Sequence, residues 1–536
     1  MEPRKWLRMF LLCSFVLFVQ SVEGDKFLPD DPIEKDPDNR ISIPKPQEID
    51  VARMHDFLAN TFTDPGGDKN ARAQNINTVG EVPDSTWFTN RIGSASLTVN
   101  DVARGPNKGK GPDVSKPWTI LKAKTGAQPG FVIRDARGDV YFIKFDATET
   151  PEAQTAAEII CTKIFHAAGY NVPENYIAYV QPHQLEIEKK KQAEQDKEAF
   201  TQEQLDLMLA QVPKKPDGMM RVLASLRLEG EPLGGFRFHG TRSDDPNDIV
   251  PHENRRELRG YRIFSAWLNH NDSDSKNTLD MYVTEGDRKF IQHYLIDFGS
   301  TLGSSAQGLR SKRAGNEYRV DWAPTLRSIV TFGLWDRPWR NVDYPDYPAV
   351  GRFEANQFRP EQWKPDHPNP AFERMQNEDA FWAVRILSRF SDEMVRAVVR
   401  TAEISDPAAE KYMADTLIKR RDKIIRYYLG QLNPLADFSV QGDRLTFKNL
   451  GVDWRVGKVK SYHYQWHRYD NKRNTLTPVG KTFAVTSNSI PIPPGDSSYL
   501  MVRIRTASPD QENWMNKTDV YVRRMSAASV VGVEVE

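Results

Sequence analysis

The chain has 536 residues and balances 73 Lys and Arg against 73 Asp and Glu, so its formal charge is zero; at about 150 residues per domain, that length allows roughly two to four domains and a sizeable core. With 39% apolar and 27% charged residues and a mean hydropathy of −0.62, it reads as a water-soluble protein and not a multi-span membrane protein. The charge balance excludes a strongly basic nucleic-acid binder as the first reading, and two cysteines cannot make a disulfide framework.

At the N-terminus, Arg4, Lys5 and Arg8 precede the apolar stretch Met9–Val19, and Val22-Glu23-Gly24 offers a cleavage site. This is the layout of a secretory signal peptide over residues 1–24, too short for a comfortable transmembrane helix. Cutting after Gly24 would leave 512 residues with 70 basic and 71 acidic groups and a single cysteine, Cys161. The expectation is an exported protein, periplasmic or extracellular, with no membrane span after cleavage and no internal disulfide.

Residues 25 to about 50 are rich in Pro and Asp and read as an extended lead-in, the first part of an N-terminal segment 25–115 that also holds the Gly-rich stretch Gly105–Pro112. The pattern changes from residue 116. Phe131–Arg134 and Val140–Phe145 read as strands joined by a turn at Asp135–Asp139. Pro151–Ala168 has helical period, with Ala157, Ile160, Ile164 and Ala168 on one face and Gly169 placed as a C-cap; Tyr176–Val180 is another strand. The charged stretch 183–212 reads as a solvated helical insertion in a unit spanning 116–220, with a capping box at Thr201–Gln204.

Within 221–433, Glu378–Thr401 and Pro407–Leu429 read as long helices. The second is capped by Asp406, started by Pro407 and ended by Gly430, with Met413, Leu417, Ile424 and Tyr428 as its buried stripe. From 436 to 536, Tyr462, Tyr464 and Trp466 alternate with polar residues, as do Leu500, Val502 and Ile504, which predicts a separate β-sandwich-like unit. The pattern as a whole is α+β.

One segment carries recognisable chemistry. Asp272 and Asn277 are five apart in His270-Asn271-Asp272-Ser273-Asp274-Ser275-Lys276-Asn277, and Asp297 follows in Ile296-Asp297-Phe298-Gly299. Phosphoryl transfer needs a carboxylate to orient the acceptor, oxygen ligands to hold magnesium against the phosphates, and a lysine to neutralise phosphate charge. Asp272 can supply the base, Asn277 and Asp297 the metal ligands, and Lys144 the cation, with Glu158 on the following helix holding that lysine.

In that order, Lys on a strand, Glu on a helix, H-x-D-x-x-x-x-N and D-F-G resemble the protein-kinase signature set. Asn271–Asn277 resembles the catalytic loop of HipA-type bacterial kinases, with Asp274 where those carry His. Leu295–Gly303 resembles the metal-binding segment of phosphoinositide kinases, and Ala127–Gly130 the HipA-type nucleotide loop. The likeness covers Lys122 to Leu302. It implies an atypical two-lobed kinase-like fold, with a smaller lobe over 116–220 and a larger one over 221–433. It also implies ATP and Mg2+ or Mn2+ as cofactors, and a hydroxyl-bearing protein, lipid or sugar as acceptor. Phosphate cradling would then fall to Gly126, Gln128 and Gly130 beside Lys144, since no G-x-G-x-x-G is present.

Alternatives stand beside this reading. The lobe could be inactive, serving as a scaffold whose β unit binds glycan or protein, or the site could transfer another part of the nucleotide, such as AMP. Asp272 could be a helix cap and Asp297 a turn residue. The Arg- and Glu-dense Asp248–Gly260 fits either phosphate positioning or an ion-pair network. Trp322, Trp335, Trp339 and Trp363 fit either substrate-facing loops or core packing. His463 and His467 share a strand face without a third metal ligand nearby. Asn271-Asp272-Ser273 is a glycosylation sequon inside the candidate loop, which argues for a bacterial origin.

Overall fold

Residues 24–36, 40–51, 53–123, 130–188, 200–525 and 527–536 are described by the computed structural model. Residues 1–23 of the expected signal peptide, and Gly126 and Gln128 of the expected nucleotide loop, lie outside them.

Apolar residues at every second position build the first sheet. After α1 (Arg53–Phe62) and α2 (Val99–Arg104) come β1 (Trp118–Ala123), β2 (Gly130–Arg134) and β3 (Val140–Lys144). Next are α3 (Ala153–Ala168), β4 (Asn175–Val180), β5 (Leu185–Ile187), α4 (Gln202–Ala210) and β6 (Met220–Leu226). The six strands form one sheet in the order β4-β6-β3-β2-β1-β5, antiparallel apart from the parallel β1–β5 pair. The β2–β3 turn closes on Asp135, whose Oδ1 accepts from the backbone of Arg137 and Asp139 at 2.9 Å, while Gly138 takes a φ of 92° that side chains disfavour.

Tyr141, Ile143 and Phe145 face one side of this sheet, in a core completed by Leu205, Leu209 and Val212. The described parts of this stretch, 183–188 and 200–212, therefore differ from the solvated insertion that its charge suggests. They contribute the edge strand β5, and three apolar residues at steps of four and three pin α4 under the sheet. Lys144, one pleat out of step with Ile143, faces the opposite side, toward α3. All of α3 except His166 is buried, because it also packs into the main core shared with the helices that follow. Its N-terminus is capped from outside the helix: Asp146 Oδ1 accepts from the backbone of Gln154 and Thr155, both at 2.9 Å.

The next part contains β7 (Glu231–Pro232), α5 (Arg256–Leu268), β8 (Thr278–Glu285) and β9 (Arg288–Leu295). The strands make an antiparallel sheet in the order β7-β8-β9. A small β10 (Ser304–Ser305) and β11 (Gly308–Leu309) hairpin follows, then α6 (Trp322–Val330), α7 (Pro370–Glu373), α8 (Asn377–Leu387), α9 (Asp392–Arg400) and α10 (Pro407–Leu429). The single helix expected over 378–401 is two. The Ser391 hydroxyl accepts from the Met394 backbone at 3.1 Å, and this cap starts a new helix where the periodicity runs on. In α10, Asp406 caps, and Met413, Leu417, Ile424 and Tyr428 are all buried.

The charged run Asp248–Gly260 is an ion-pair network, and a buried one. Asp248 meets His252 at 2.7 Å and Arg255 at 3.0 Å, while Asp379 of α8 receives Arg256 at 2.9 Å and Arg259 at 3.1 Å. Arg256 and Arg259 lock α5 to α8, while Asp248 ties together the segment that leads into α5.

The C-terminal part has two antiparallel sheets. The first contains β12 (Leu435–Gln441), β13 (Arg444–Asn449) and, after the short α11 (Leu450–Asp453), β16 (Ser489–Pro491). The second orders β15 (Thr475–Val485), β14 (Ser461–Asp470), β17 (Tyr499–Ala507), β18 (Thr518–Arg524) and β19 (Ala528–Val535). Tyr462, Tyr464, Trp466, Leu500, Val502 and Ile504 fill the core between them. The lead-in is tied down at both ends: Phe27 sits among Tyr469, Tyr499 and Tyr521, and Ile43 packs with Leu233 and Ile291. The chain is thus a mixed α and β protein with one mixed sheet and several antiparallel ones. Among the described residues, no helix is long and apolar enough to cross a membrane.

Candidate active site

Lys144 ends β3, and its ammonium reaches two carboxylates: Glu158 Oε1 of α3 at 2.5 Å and Asp297 Oδ1 at 2.8 Å. Lys144 and Glu158 are almost fully buried, whereas the Asp297 side chain is 45% exposed. Burial works to lower the lysine's pKa, but Asp297 and Glu158 outweigh it and hold it above the ordinary value. Lys144 is a fixed cation with an accessible carboxylate beside it.

Asp297 and Asn277 are twenty apart in sequence but lie at the same end of one hairpin. β8 and β9 pair with Thr278 opposite Leu295, and the Ile296 N–H donates to the Asn277 carbonyl at 2.9 Å. The chain then turns sharply: Asp297 takes a φ of 60°, a left-handed conformation that Asp tolerates better than most residues. The next N–H, of Phe298, donates to Glu158 Oε2 at 3.0 Å, so one carboxylate orients both Lys144 and the turn. Phe298 is buried against Phe165 and His270, with ring centroids 5.0 and 5.7 Å away.

On the loop 271–277, the Asn277 side-chain amide donates to the Asp272 carbonyl at 2.5 Å, leaving its oxygen as the acceptor end. Asp272 is not a helix cap, since α5 closes at Asn269 with a φ of 49°. Its carboxylate lies 3.2 Å from Arg310 Nη2. Asp274 caps the turn at Ser275–Asn277 through the Lys276 N–H at 2.9 Å. Asn271 is 1% exposed and its amide donates to Asp366 at 2.6 Å, so the sequon is closed to a glycan in the folded chain.

Several residues that hold this loop carry no local sequence signal. Asp366 receives the Asn271 amide and lies 3.7 Å from Arg310. Burial raises its pKa, but Arg310, Arg319 and Asn271 outweigh that and hold it below the usual carboxylate range. Asn369 donates to the Ser273 carbonyl at 3.1 Å, and His367 lies 3.4 Å from Asp274. The Pro-punctuated run Asp366-His-Pro-Asn-Pro370 was the available hint, but only the fold shows what it supports. Asn175 donates to Glu158 at 3.4 Å and to Thr162 at 2.8 Å.

The structure therefore brings together Lys144, Glu158 and Asp297, sets Asn277 beside the Asp297 turn, and places Asp272 on the Asn277 loop. Gly130 opens β2 opposite Lys144. Of the tryptophans that fit either substrate-facing loops or core packing, Trp363 is buried and donates to Asn269 at 2.9 Å, whereas Trp322 is largely exposed. Among the described residues, no three His, Cys, Asp or Glu side chains converge as a metal cluster. Magnesium held largely by phosphates needs only one or two protein oxygens, and the Asn277 amide and Asp297 carboxylate fit that donor set.

No protein-family model matches the chain, and no curated protein does. Among solved structures it is similar to the Helicobacter pylori proinflammatory kinase CtkA, at 11% identity and a TM-score of 0.29, over 56% of this chain and 94% of that one. It is also similar to the Golgi casein kinase with Mn/ADP bound, at 9% identity and a TM-score of 0.28, over 61% of this chain and 74% of that one.

Proposed function

We propose that this protein is an atypical kinase-like phosphotransferase that binds ATP with Mg2+ or Mn2+ and transfers phosphate to a hydroxyl on a protein, lipid or sugar. The observation that supports this most is the buried Lys144–Glu158 pair with Asp297 at 2.8 Å from the same ammonium. It supplies a fixed cation and an accessible carboxylate in one place, which phosphoryl transfer needs. A divalent ion would neutralise charge on the phosphates. Lys144 would bind a phosphate oxygen, held in place by Glu158; Asn277 and Asp297 would hold the metal; and Asp272 would orient the acceptor hydroxyl and take its proton. Gly126, Gln128 and Gly130 would offer backbone to the phosphates. Export belongs to the same proposal and rests on the Arg4-to-Gly24 pattern; with Asn271 buried, the sequon does not bear on a bacterial source.

A thermal-shift series with ATP, ADP, Mg2+ and Mn2+ tests the site. The expected result is a melting shift that needs both nucleotide and metal. Asp297→Ala should remove its metal-dependent part, and Lys144→Ala should weaken it. If neither substitution alters the shift, the assignment is wrong. A second reading, an inactive nucleotide-binding scaffold with a glycan- or protein-binding β unit, is favoured by Arg310 seated on the Asp272 carboxylate. A nucleotide shift without phosphate transfer from labelled ATP, in wild type and in Arg310→Ala alike, would support it.

A further inference from the structure

Beyond the Asp297 turn, the chain exposes an apolar face. On α6, Trp322 is 66% exposed, Leu326 62%, Ile329 65% and Val330 69%; the turn after it exposes Phe332 at 93% and Leu334 at 87%. Residues 322, 326, 329 and 330 fall on one side of the helix. Soluble proteins rarely leave such a continuous patch in water without a use for it.

The surroundings of the patch indicate what it meets. Residues 310–340 carry seven Lys and Arg against Glu317, Asp321 and Asp336, in a chain of zero net charge. Three of the seven pair with carboxylates, Arg310 with Asp272, Arg319 with Asp366 and Arg337 with Glu317. That leaves Lys312, Arg313, Arg327 and Arg340 as the basic groups of this stretch, and the acids are engaged as well. Glu317 receives Arg337 and the Trp339 indole, Asp321 receives Lys364 at 2.6 Å, and Asp336 receives Asn341. Arg327 lies on α6 itself, exposed and 4.8 Å over Trp335, and the exposed Arg340 follows in the chain 5.7 Å from Trp339. An apolar helical face edged by arginine and tryptophan matches the headgroup boundary of an anionic bilayer, where rings sit at the interface and cations meet lipid phosphates. A second copy of the same face would bring like charges together.

We propose that α6 and the Phe332–Leu334 turn dock this protein onto an anionic lipid surface, lying in the interface without spanning it. The proposal does not depend on the phosphotransferase reading, because it uses none of the candidate site residues.

The test is co-sedimentation of the full chain with vesicles of phosphatidylcholine alone, and of phosphatidylcholine with an equal share of phosphatidylglycerol. Binding is expected to the mixed vesicles, to weaken with added salt and to be slight on phosphatidylcholine alone. Leu326→Glu with Phe332→Glu should reduce it about tenfold or more, and Arg327→Glu with Arg340→Glu about tenfold. All four positions are exposed, so thermal melting should match wild type and show that the fold is kept. Residues 1–24 are common to all these proteins, so binding through the N-terminal apolar stretch would survive the substitutions and overturn the proposal. Equal binding to both vesicles would overturn it too, as would absence of binding. A concentration-dependent dimer broken by Leu326→Glu, with no lipid binding, would instead assign the face to self-association.

Discussion

Replacing Lys144 by Met removes the cation of a buried pair while keeping most of the side-chain volume. Glu158, with its side chain 2% exposed, would then keep only the Phe298 N–H at 3.0 Å and the Asn175 amide at 3.4 Å as partners. Stranding a buried charge in this way costs about 3–5 kcal/mol. The Asp297 side of the interaction adds at most about 1 kcal/mol, because that side chain is 45% exposed and solvent screens it. Glu158→Gln on the Lys144→Met background removes the stranded charge and keeps an oxygen for Phe298, so most of the loss should return. A chain of several cores need not unfold in one step, so the readout is hydrogen exchange of the α3 amides, Ala153–Ala168, where a local opening energy can be measured. The reasoning fails if Lys144→Met leaves α3 protection within about 0.5 kcal/mol of wild type, or if the double variant recovers nothing.

Two further predictions concern stability. His270 is fully buried against Phe165, Tyr261 and Phe298, and burial pushes its pKa from 6.5 down to about 3. The unfolded chain therefore takes up this proton at a higher pH than the folded one. Its contribution to stability is complete above pH 6.5 and is lost as pH falls toward 3, with a limiting slope of about 1.4 kcal/mol per pH unit. His270→Leu should flatten the pH dependence of the denaturation midpoint by one proton's worth. A residual slope of the same sign is expected from His166, also lowered to about 3, first by burial and then by Arg91 and Arg104; an unchanged slope would refute the assignment to His270. Gly169 ends α3 at a φ of 127°, where an added Cβ would lie 2.2 Å from the Phe88 ring and 2.8 Å from the Thr89 carbonyl. Gly169→Ala should cost roughly 2–4 kcal/mol, read as a lowered melting midpoint; a neutral result would contradict the packing of Phe88 on that cap.

What could be read before the structure followed the range of the interactions. The turn at Asp135–Asp139, the cap at Asp406 and the stripe of α10 depend on residues within a few positions of one another, so local pattern suffices. The break at Ser391 is equally local, but it is masked because apolar periodicity continues through it. The stretch 183–212 misled for a different reason: charge density outvoted Leu205, Leu209 and Val212, which are enough to pin a short helix beneath a sheet. The supports of the candidate loop lay beyond reach. Arg310, Asp366, His367 and Asn369 meet Asp272, Asn271, Asp274 and Ser273 across 38 to 96 positions of chain, and no periodicity links partners that far apart.

Lys144 and Asp297 are farther apart still, at 153 positions, yet both were nameable in advance. The difference is that each is fixed by its own neighbourhood. Lys144 takes its direction from the β3 pleat. Asp297 is set by the β8–β9 register, which also delivers Asn277 to the same end of the hairpin. Their meeting then depends on a third element, and Glu158 supplies it by binding the lysine with one oxygen and the Phe298 N–H with the other. A shift of α3 along its axis would move both contacts together. The distance from Lys144 to Asp297 is thus governed by the seating of one helix, which is buried on nearly every side and is the element least free to drift.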